Sequence, residues 1–572
     1  MAKFTLAFAI ALMVQPAHAQ STPKPTPETA TTKLGSITGR VLADGQPVIN
    51  ASIAVTRVSA TTASRFAPVN DNGDFEAKGL DTGVYRVGVT APGYVTTPTG
   101  LDQEPYYRVG DSVMFTMLKG GVITGRVLSA DDEPVVAVRV RAIRIRDENG
   151  KLVSAPELNI DRLTDDRGIY RIFGLRPGTY VVSAGGRGSS GYGVNGYDHD
   201  VPTYAPSSTR DTAAEILLGA AEEKTIDIHY RGEAGHVVSG NATAPAGPDS
   251  PWISINLARL IAGAPDVKMS TYQNSGTKGF EFSGVADGDY LIWAQYASTS
   301  GDTLVSEPRR IIVRGADVNG LELSTKPLAT VAGEFVLVPS TLEACKGKRR
   351  PSFDETVVTL QRKQKPSTKT EAELPSFGAA QVTANNSGNF VLRNLAPGQY
   401  GLEARFFAHY WYLQSITQRA TASSKEIAGQ TIDLARSSLT LRLGEGATGV
   451  RVTLAEGGAT LSGQVETTGN QSLPAQLFVY LVPAEKEKVD DPLQYSAAQV
   501  DGHGAFAIDQ VAPGRYWLIT KTAADNLSSN KSLRSPDAHE ARAKLWREAE
   551  SMKSEVALKP CQNVSGYSLV FK

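Results

Sequence analysis

The sequence repeats one pattern five times, and this repetition constrains the fold more than any other feature. Each copy opens with a strand-like segment in which a glycine follows a small or hydroxyl residue, as in SITGRVL and VITGRVL. The opening glycines are Gly39, Gly125, Gly240, Gly333 and Gly463. A self-similar segment that recurs along a chain indicates tandem copies of one structural unit. We therefore expect five similar units.

Each copy closes with a turn, an aromatic strand, a second turn and another strand. In the first turn, as in Asp71-Asn72-Gly73, glycine supplies a positive φ. The aromatic residues that follow are Phe75, Tyr170, Phe280, Phe390 and Phe506. The second turn ends at a glycine, and a tyrosine follows two residues later at Tyr85, Tyr180, Tyr290, Tyr400 and Tyr516. Because strand side chains alternate between faces, we predict that these rings pack into cores.

Composition agrees with a chain of several all-β domains. The 572 residues include 54 Gly and 31 Pro, with 41% hydrophobic and 20% charged residues, so turns are frequent and cores can form. The predicted fold class is all-β, with about five tandem antiparallel β-sandwich (prealbumin-like) domains and one C-terminal amphipathic helix. The predicted sandwich repeats are 34–119, 120–232, 233–327, 328–455 and 456–572.

One helix is predicted at residues 536–556, inside the fifth repeat. Ser535 can cap it and Pro536 suits its first position. Apolar residues recur at three- and four-residue steps at Ala541, Leu545, Ala549, Met552 and Val556. We expect this face to lie against the fifth sandwich and the charged residues, Arg542 among them, to face solvent.

The first residues resemble an export signal. Lys3 precedes a short apolar run, and Ala17-His18-Ala19 is a small-x-small cleavage site, so residues 1–19 are predicted to be a cleaved signal peptide. Residues 20–33 read as a Pro/Thr-rich linker. No other stretch is apolar enough to span a bilayer, so we predict no transmembrane segment in the mature chain. The expected location is periplasmic, outer-membrane-associated or extracellular.

The two cysteines, Cys345 and Cys561, leave two alternatives open. In an oxidising compartment they could form a disulfide that ties the fourth repeat to the C-terminal region. They could also remain two separate thiols, because sequence does not supply the distance between the two Cα atoms. Neither cysteine lies in a CxxC pair or near a histidine, which argues against a metal site.

Charge and motif content exclude several functions. The 58 Lys and Arg nearly balance the 59 Asp and Glu, so no net field draws the chain to nucleic acid. The seven histidines are scattered, and HExxH, GxSxG and Walker patterns do not occur. We therefore predict no catalytic, cofactor-binding or metal-ligating residues, and a protein that is not an enzyme.

Five tyrosines outside the repeated positions are candidate ligand contacts. Tyr192, Tyr197 and Tyr204 lie in a segment rich in glycine and proline, and Tyr106 and Tyr107 form a pair in the first repeat. Aromatic rings in such segments can stack on sugars or anchor a protein partner. The alternative is that they cover a local apolar patch.

The repeated residues resemble the carboxypeptidase regulatory-like domain family, a transthyretin-like or carbohydrate-binding-like sandwich. The resemblance rests on the opening GRVL, the D-x-x-G-x-Y/F strand and the L-x-P-G-x-Y turn, and covers most of the mature chain. It is strong in the first two repeats and weak in the third, where Asp287-Gly288-Asp289-Tyr290 replaces the Pro-Gly turn. It implies a binding or scaffolding module and no peptidase activity, since the catalytic domain and an HxxE zinc pair are missing.

The leading functional hypothesis is an exported, non-catalytic binding or scaffold protein, with carbohydrate binding as its specific version. The expected partner is a glycan or an envelope protein. One alternative is a structural cell-surface or outer-membrane-associated rod. A second alternative is a hydrolase with a site at a repeat interface, which only the scattered histidines and acidic residues permit.

Overall fold

The five repeats fold as five β-sandwich units in a computed structural model of the chain. The structure describes residues 34–58, 64–96, 105–153, 160–187, 196–245, 252–261, 264–274, 279–298, 301–363, 374, 377, 380–419, 431–467, 473–474, 476–522 and 533–571. The predicted signal peptide, the predicted linker and Tyr192 lie outside these residues. The all-β class with tandem sandwiches is confirmed.

The strands of the first two units follow the chain from the first opening glycine. Unit 1 consists of β1 (Gly35–Ala43), β2 (Gln46–Pro47), β3 (Ser52–Arg57), β4 (Arg65–Pro68), β5 (Asp74–Leu80), β6 (Val84–Thr90), β7 (Tyr94–Thr96), β8 (Tyr107–Arg108) and β9 (Ser112–Lys119). Unit 2 consists of β10 (Gly121–Leu128), β11 (Arg139–Arg146), β12 (Ile160–Leu163), β13 (Ile169–Leu175), β14 (Gly178–Ala184), β15 (Thr203–Tyr204), β16 (Ile216–Leu218), β17 (Glu223–Thr225) and β18 (Ile228–His229).

The other three units follow in the same order. Unit 3 consists of β19 (His236–Thr243), β20 (Ile253–Ile261), β21 (Ala264–Gln273), β22 (Phe280–Val285), β23 (Gly288–Ala297), β24 (Thr303–Ser306), β25 (Arg309–Val313) and β26 (Val318–Pro327). Unit 4 consists of β27 (Ala329–Val338), β28 (Val357–Arg362), β29 (Gln381–Thr383), β30 (Asn389–Leu395), β31 (Gly398–Arg405), β32 (Trp411–Arg419), β33 (Thr431–Asp433), β34 (Leu439–Leu441) and β35 (Gly446–Glu456). Unit 5 consists of β36 (Ala459–Thr467), β37 (Leu477–Pro483), β38 (Ser496–Gln499), β39 (Ala505–Val511), β40 (Gly514–Thr522), β41 (Glu555–Leu558) and β42 (Asn563–Phe571).

Helical segments are short. The α-helix, α1, spans His539–Met552 in unit 5. Single 3-10 turns occur at Arg210–Thr212, Glu343–Cys345, Phe353–Glu355, Lys486–Lys488, Pro492–Gln494 and Pro536–Ala538.

Each unit pairs its strands in the same way around its opening strand. In unit 1, β1 lies between β5, which runs antiparallel to it, and β9, which runs parallel to it. The equivalent parallel pairs are β10 with β17 and β18, β19 with β26, β27 with β35, and β36 with β42. A second sheet faces the first, as in β4-β3-β6-β8 of unit 1 and β38-β37-β40-β41 of unit 5. The first and last strands of each unit pair in parallel, so the sheets contain both parallel and antiparallel pairs. Antiparallel pairing alone was predicted from the sequence.

The parallel pair explains why each opening strand needs its glycine. A Cβ at Gly39 would lie 2.1 Å from the carbonyl oxygen of Val113 on the parallel strand. The same clash, at 1.9–2.3 Å, would arise at the other four opening glycines, with Ile226, Leu321, Val450 and Tyr567. Only a residue without a side chain lets the two backbones approach this closely. The repeated glycine therefore marks a close approach of strands and not a turn.

The closing tyrosines act as structural locks. The hydroxyl of Tyr85 donates a hydrogen bond to the carbonyl oxygen of Asp81, four residues earlier, at 2.8 Å. The bond recurs at 2.7–2.8 Å in the other units, from Tyr180 to Arg176, Tyr290 to Ala286, Tyr400 to Ala396 and Tyr516 to Ala512. All five rings are buried. Each bond contributes about 0.5–1.5 kcal/mol on top of the ring's burial, so core packing accounts for these residues.

Unit 3 departs from the two-sheet arrangement. Its strands form one continuous sheet in the order β21-β20-β23-β24-β26-β19-β22, because β24 pairs with both β23 and β26. This is also the repeat in which the Pro-Gly turn is replaced by Asp287-Gly288. Gly288 still adopts φ +158°, close to the +151° of Gly178 and the +154° of Gly398, so the turn keeps its backbone conformation without proline.

The C-terminal helix is shorter than the predicted 536–556, and one of its faces was assigned wrongly. Lys553 adopts the left-handed conformation and ends the helix, and Val556 lies on β41 and not on the helix. Met552 is exposed, whereas Arg542 is 3% exposed and donates 2.7 Å hydrogen bonds to the carbonyls of Leu533 and Ser535. Arg542 faces the protein because these two carbonyls stand beside the helix start. Ser535 makes no side-chain cap in the described structure.

Cys345 and Cys561 form a disulfide with their Cα atoms 5.3 Å apart. Cys345 belongs to unit 4 and Cys561 precedes the last strand of unit 5, so the bond ties these two units together. The backbone adds to this contact, since the amides of Gly457 and Gly458 both donate to the carbonyl of Tyr410. Of the two alternatives for the cysteines, the structure contains the bridge.

Contacts between units form a closed circuit. Units 1 and 2 meet where the Gly120 amide donates to the Gly93 carbonyl, and units 2 and 3 meet where the Gly235 amide donates to the His199 carbonyl. Units 3 and 4 share an apolar cluster around Trp293. Unit 4 then contacts unit 1. Units 1 to 4 therefore do not form the rod that was considered from the sequence, because unit 1 contacts unit 4.

The unit 1–unit 4 junction is a packed interface. Val58 and Val84 of unit 1 are buried against Val357 of unit 4. The Arg108 guanidinium lies 4.7 Å from the centre of the Phe407 ring. Apolar burial and stacking of a cation on a ring both stabilise such a contact, by about 1 kcal/mol for the stacked pair.

Candidate binding cleft between units 2 and 3

A cleft of about 320 Å³ opens where unit 2 meets unit 3. The backbone joins the two units at its floor, where the Val201 amide donates to the Glu233 carbonyl at 2.8 Å. Gly284 closes the opposite side, because a Cβ there would lie 2.8 Å from the Asp198 carbonyl oxygen. Both units therefore contribute side chains to one concave surface, a common setting for ligand sites.

Three arginines of unit 2 line the cleft: Arg141, Arg187 and Arg210, the last of which lies over the Tyr204 ring. Arg141 lies on β11 and is only 3% exposed, and its Nη2 donates to the carbonyls of Gly186 at 2.9 Å and Arg187 at 2.8 Å. Burial lowers the pKa of its guanidinium, since removing a cation from water disfavours the charged form. The partly buried Arg187 donates to the Thr271 hydroxyl of unit 3 at 3.3 Å. The guanidiniums of Arg141 and Arg187 are thus held by neutral oxygens.

Three carboxylates line the same cleft, and each has a cationic or imidazole partner. Asp211 pairs with Arg259 at 3.1 Å, a contact from unit 2 to unit 3. Asp287 lies 3.2 Å from Nε2 of His236 and accepts a hydrogen bond from the Gly315 amide at 2.9 Å. Glu233 accepts a hydrogen bond at 2.9 Å from Nε of Arg231, a residue that does not itself line the cleft.

The remaining wall is apolar. Tyr204, Met269 and Tyr290 line the cleft, and each of them is buried. Tyr204 also packs against Ile143 and Val181 of unit 2. The cleft therefore combines charged groups of both signs with tyrosine and methionine side chains that are largely buried in its wall.

The four predicted ligand-contact tyrosines that the structure describes lie in four different surroundings. Tyr204 reaches the cleft, while Tyr197 packs edge-on against Tyr230 with ring centres 5.5 Å apart. Tyr106 lies in the unit 1–unit 4 junction, where its hydroxyl donates to the Gln381 side chain and the Arg405 guanidinium stacks 4.9 Å from its ring centre. Tyr107 packs on the core of unit 1, and burial raises its pKa. The structure does not bring these four together, and Tyr192 lies outside the described residues.

Sequence reasoning missed the charged residues of the cleft. Arg141 stands in the alternating segment VAVRVRAIRI, which reads as a strand with one polar face. It is buried because the backbone at Gly186 and Arg187 returns over it, a contact that no local pattern encodes. Asp287, which lines the cleft, stands where the family turn has proline, but Thr82 takes that position in the first repeat, so the substitution alone did not mark the cleft. Trp252, 66% exposed and edge-on to Tyr272, is another surface aromatic that was not singled out.

Groups able to support catalysis are sparse in the part of the chain that the structure describes. No three His, Cys, Asp or Glu side chains there stand close enough together to hold a metal ion. Among the histidines that pair with carboxylates, His236 contacts Asp287 in the cleft, and His409 contacts Asp509 between units 4 and 5. In the same residues, no helix has the length and apolar character to cross a membrane.

Comparisons with known proteins locate one family region. The model of the carboxypeptidase regulatory-like domain matches residues 36–105, which hold β1 to β7 of unit 1. No curated protein matches the sequence.

Similar solved structures include a Bacillus anthracis TIE protein, with 16% identity, 51% of each chain covered and a TM-score of 0.14. This chain therefore spans about half the length of that protein. A minor pilin of Streptococcus agalactiae has 13% identity, covering 34% of this chain and 96% of the pilin, with a TM-score of 0.18. Two B repeat units of the collagen-binding protein of Staphylococcus aureus have 11% identity, covering 74% of this chain and all of theirs (100%), with a TM-score of 0.13. Within this chain, the first sandwich is the region similar to a carboxypeptidase regulatory-like domain.

Proposed function

We propose that this chain is an exported, non-catalytic binding protein that takes a carbohydrate in the unit 2–unit 3 cleft. The observation that carries the proposal is the cleft itself, where two units supply hydrogen-bonding side chains of both signs beside a wall of tyrosine and methionine side chains. Sugars offer many hydroxyls and an apolar ring face, so they match a site of this composition. The resemblance of the repeats to a carbohydrate-binding-like sandwich supports the same ligand class.

The assignment as a binding protein rests on what the conspicuous residues do. The repeated tyrosines donate to backbone carbonyls, and the repeated glycines admit a neighbouring strand. The three cleft carboxylates each have a partner: Asp211 pairs with Arg259, Asp287 with His236, and Glu233 with Arg231. The recurring features therefore build the sandwiches and do not assemble a reaction centre.

Export is supported by two independent features. The predicted signal peptide at residues 1–19 is one. The other is the Cys345–Cys561 disulfide, because such bonds persist in oxidising compartments outside the cytoplasm.

The experiment is a binding screen of residues 20–572 against an oligosaccharide array, with product analysis after long incubation. We expect binding without turnover, and a loss of about tenfold or more in Arg187→Ala, since a hydrogen bond to a charged group contributes about 1.5–3 kcal/mol. Arg171→Ala is the matched control, because Arg171 pairs with Glu223 on the exposed side of unit 2. Silence across the array, or released product, would refute the proposal.

A second candidate function is a structural scaffold of the cell envelope that holds partner proteins. The unit 1–unit 4 junction and the disulfide favour it, because both fix units relative to one another. Cross-linking and pull-down from an envelope fraction would test it. A specific protein partner whose capture is lost in a unit 1–unit 4 junction variant would support it, and capture unaffected by that variant would count against it.

A further inference from the structure

We propose that the unit 2–unit 3 cleft selects a uronic-acid sugar, whose carboxylate is held by Arg141 and Arg187. This inference rests on the proposed function, because it names the class of carbohydrate that the same cleft takes. Its basis is an imbalance in the cleft: the carboxylates have partners, whereas two guanidiniums are held by neutral oxygens alone.

Of the four arginines that line the cleft, Arg259 pairs with Asp211 and Arg210 lies 5.9 Å from the centre of the Tyr204 ring, so the proposal is argued from Arg141 and Arg187. Within the residues described, neither Arg141 nor Arg187 has a carboxylate oxygen within 4.0 Å, while Arg259 in the same cleft has Asp211. Asp161 and Asp198 act on Arg141 only at longer range. A buried cation without a counter-charge is costly, and a bound carboxylate would supply charge-assisted hydrogen bonds at that place.

The carboxylates of the cleft restrict which anion fits. Asp211, Glu233 and Asp287 would repel a phosphate or a dicarboxylate, because like charges a few ångströms apart disfavour binding. The same oxygens accept hydrogen bonds from hydroxyl groups. A uronic acid carries one carboxylate and several hydroxyls on one ring, so it matches the cations and the acceptors together.

Size and wall composition agree with a sugar. The cleft volume of about 320 Å³ lies at the lower end of the ~300–1,000 Å³ range of small-ligand sites. Tyr204, Tyr290 and Met269 offer an apolar wall for the C–H face of a ring. An acidic peptide would bring a carboxylate without ring hydroxyls, and its further charges would meet the cleft carboxylates.

The test is isothermal titration of residues 20–572 with three matched probes: a trimer of two galactose residues and one galacturonate residue, its methyl ester, and a short oligoglutamate. We expect the trimer to bind and the methyl ester to bind at least about tenfold more weakly, since the ester lacks the charge. Arg187→Gln should weaken the trimer by a similar factor and leave the ester unchanged, and Arg187→Lys should restore part of the loss. Arg171→Gln serves as the control variant.

The outcomes separate this inference from the proposed function. Equal binding of trimer and methyl ester would overturn the uronate assignment and leave carbohydrate binding intact. Preference for oligoglutamate would overturn both. Binding of neutral array sugars with no response to either galacturonate probe would overturn the inference alone. Circular dichroism of each variant verifies that it is folded before its affinity is compared.

Discussion

The unit 1–unit 4 junction and the unit 2–unit 3 junction bury different kinds of residue. The unit 1–unit 4 junction buries Val58, Val84 and Val357 and stacks guanidiniums on rings. The unit 2–unit 3 junction encloses an open cleft with two arginines that lack carboxylate partners among the described residues. Both join the same kind of sandwich. The difference indicates that one contact serves assembly and the other is available to a ligand.

The polar groups of the two junctions show the difference between them more clearly than exposed aromatic residues do. Tyr106, a candidate ligand contact by sequence, is committed to the assembly junction, where it meets Gln381 and Arg405. The cleft instead depends on Arg141, which no sequence motif marks. A junction that satisfies its charges internally leaves nothing for a ligand to complete.

The largest effect should come from a charge placed in the assembly junction. Val84→Asp buries an unpaired carboxylate at a fully buried position, and we expect a loss of about 3–5 kcal/mol in unfolding free energy. Denaturant unfolding would measure the loss, and solution scattering would show units 1 and 4 separating. Met114→Asp, at a 66% exposed site of the same unit, should change stability by less than about 0.5 kcal/mol. Equal effects of the two changes would contradict a packed junction.

Removing the disulfide between units 4 and 5 should have the next largest effect on stability. Cys345→Ser combined with Cys561→Ser frees a loop of 216 residues, and we expect a loss of about 2–4 kcal/mol from the unfolding of units 4 and 5. Calorimetry of the variant and of the reduced parent should give matching shifts. A variant with unchanged unfolding would show that packing alone joins these units.

A single hydroxyl should have a smaller effect. Tyr106→Phe removes the hydrogen bond to Gln381 and should cost about 0.5–1.5 kcal/mol. Tyr107→Phe is its neighbour control, because Tyr107 faces the unit 1 core and not the junction. Chemical denaturation of both variants would measure the two losses in unfolding free energy. A larger loss from Tyr107→Phe would contradict the junction hydrogen bond assigned to Tyr106.

The smallest effect on stability should come from the cleft. Arg187→Ala removes a 3.3 Å hydrogen bond at a partly exposed site, so we expect a change of about 0–1 kcal/mol in unfolding free energy. The same variant should lose sugar binding. A large loss of stability without a loss of binding would reverse the roles assigned to the two junctions.

The sequence predicted the units because their signals are local. A glycine after a small or hydroxyl residue, and a tyrosine two residues after a turn glycine, each report a backbone requirement that the structure shows at Gly39 and Tyr85. The parallel pairing of first and last strands was not predicted, since the partners lie some 70 to 120 residues apart, as in Gly39 with Val113 and Thr330 with Gly446.

The contacts between units could not be read from the sequence. The circuit depends on side chains that meet across long separations, such as Tyr106 and Gln381, 275 residues apart. The helix was located but its end was not, because Lys553 leaves the helical conformation in favour of pairing β41 with β40. The cleft was missed for the same reason as the circuit, because Arg141 and the backbone that covers it at Gly186 are 45 residues apart.

Hydrogen–deuterium exchange of residues 20–572 with and without the trimer that carries one galacturonate residue tests the contrast between the junctions most directly. The account predicts new protection in peptides that cover 198–211, 233–236 and 284–290, and unchanged exchange at 105–108 and 355–358. Protection centred on 105–108 and 355–358 would contradict the account. A lack of protection at 198–211, 233–236 and 284–290 while the sugar is bound would also contradict it.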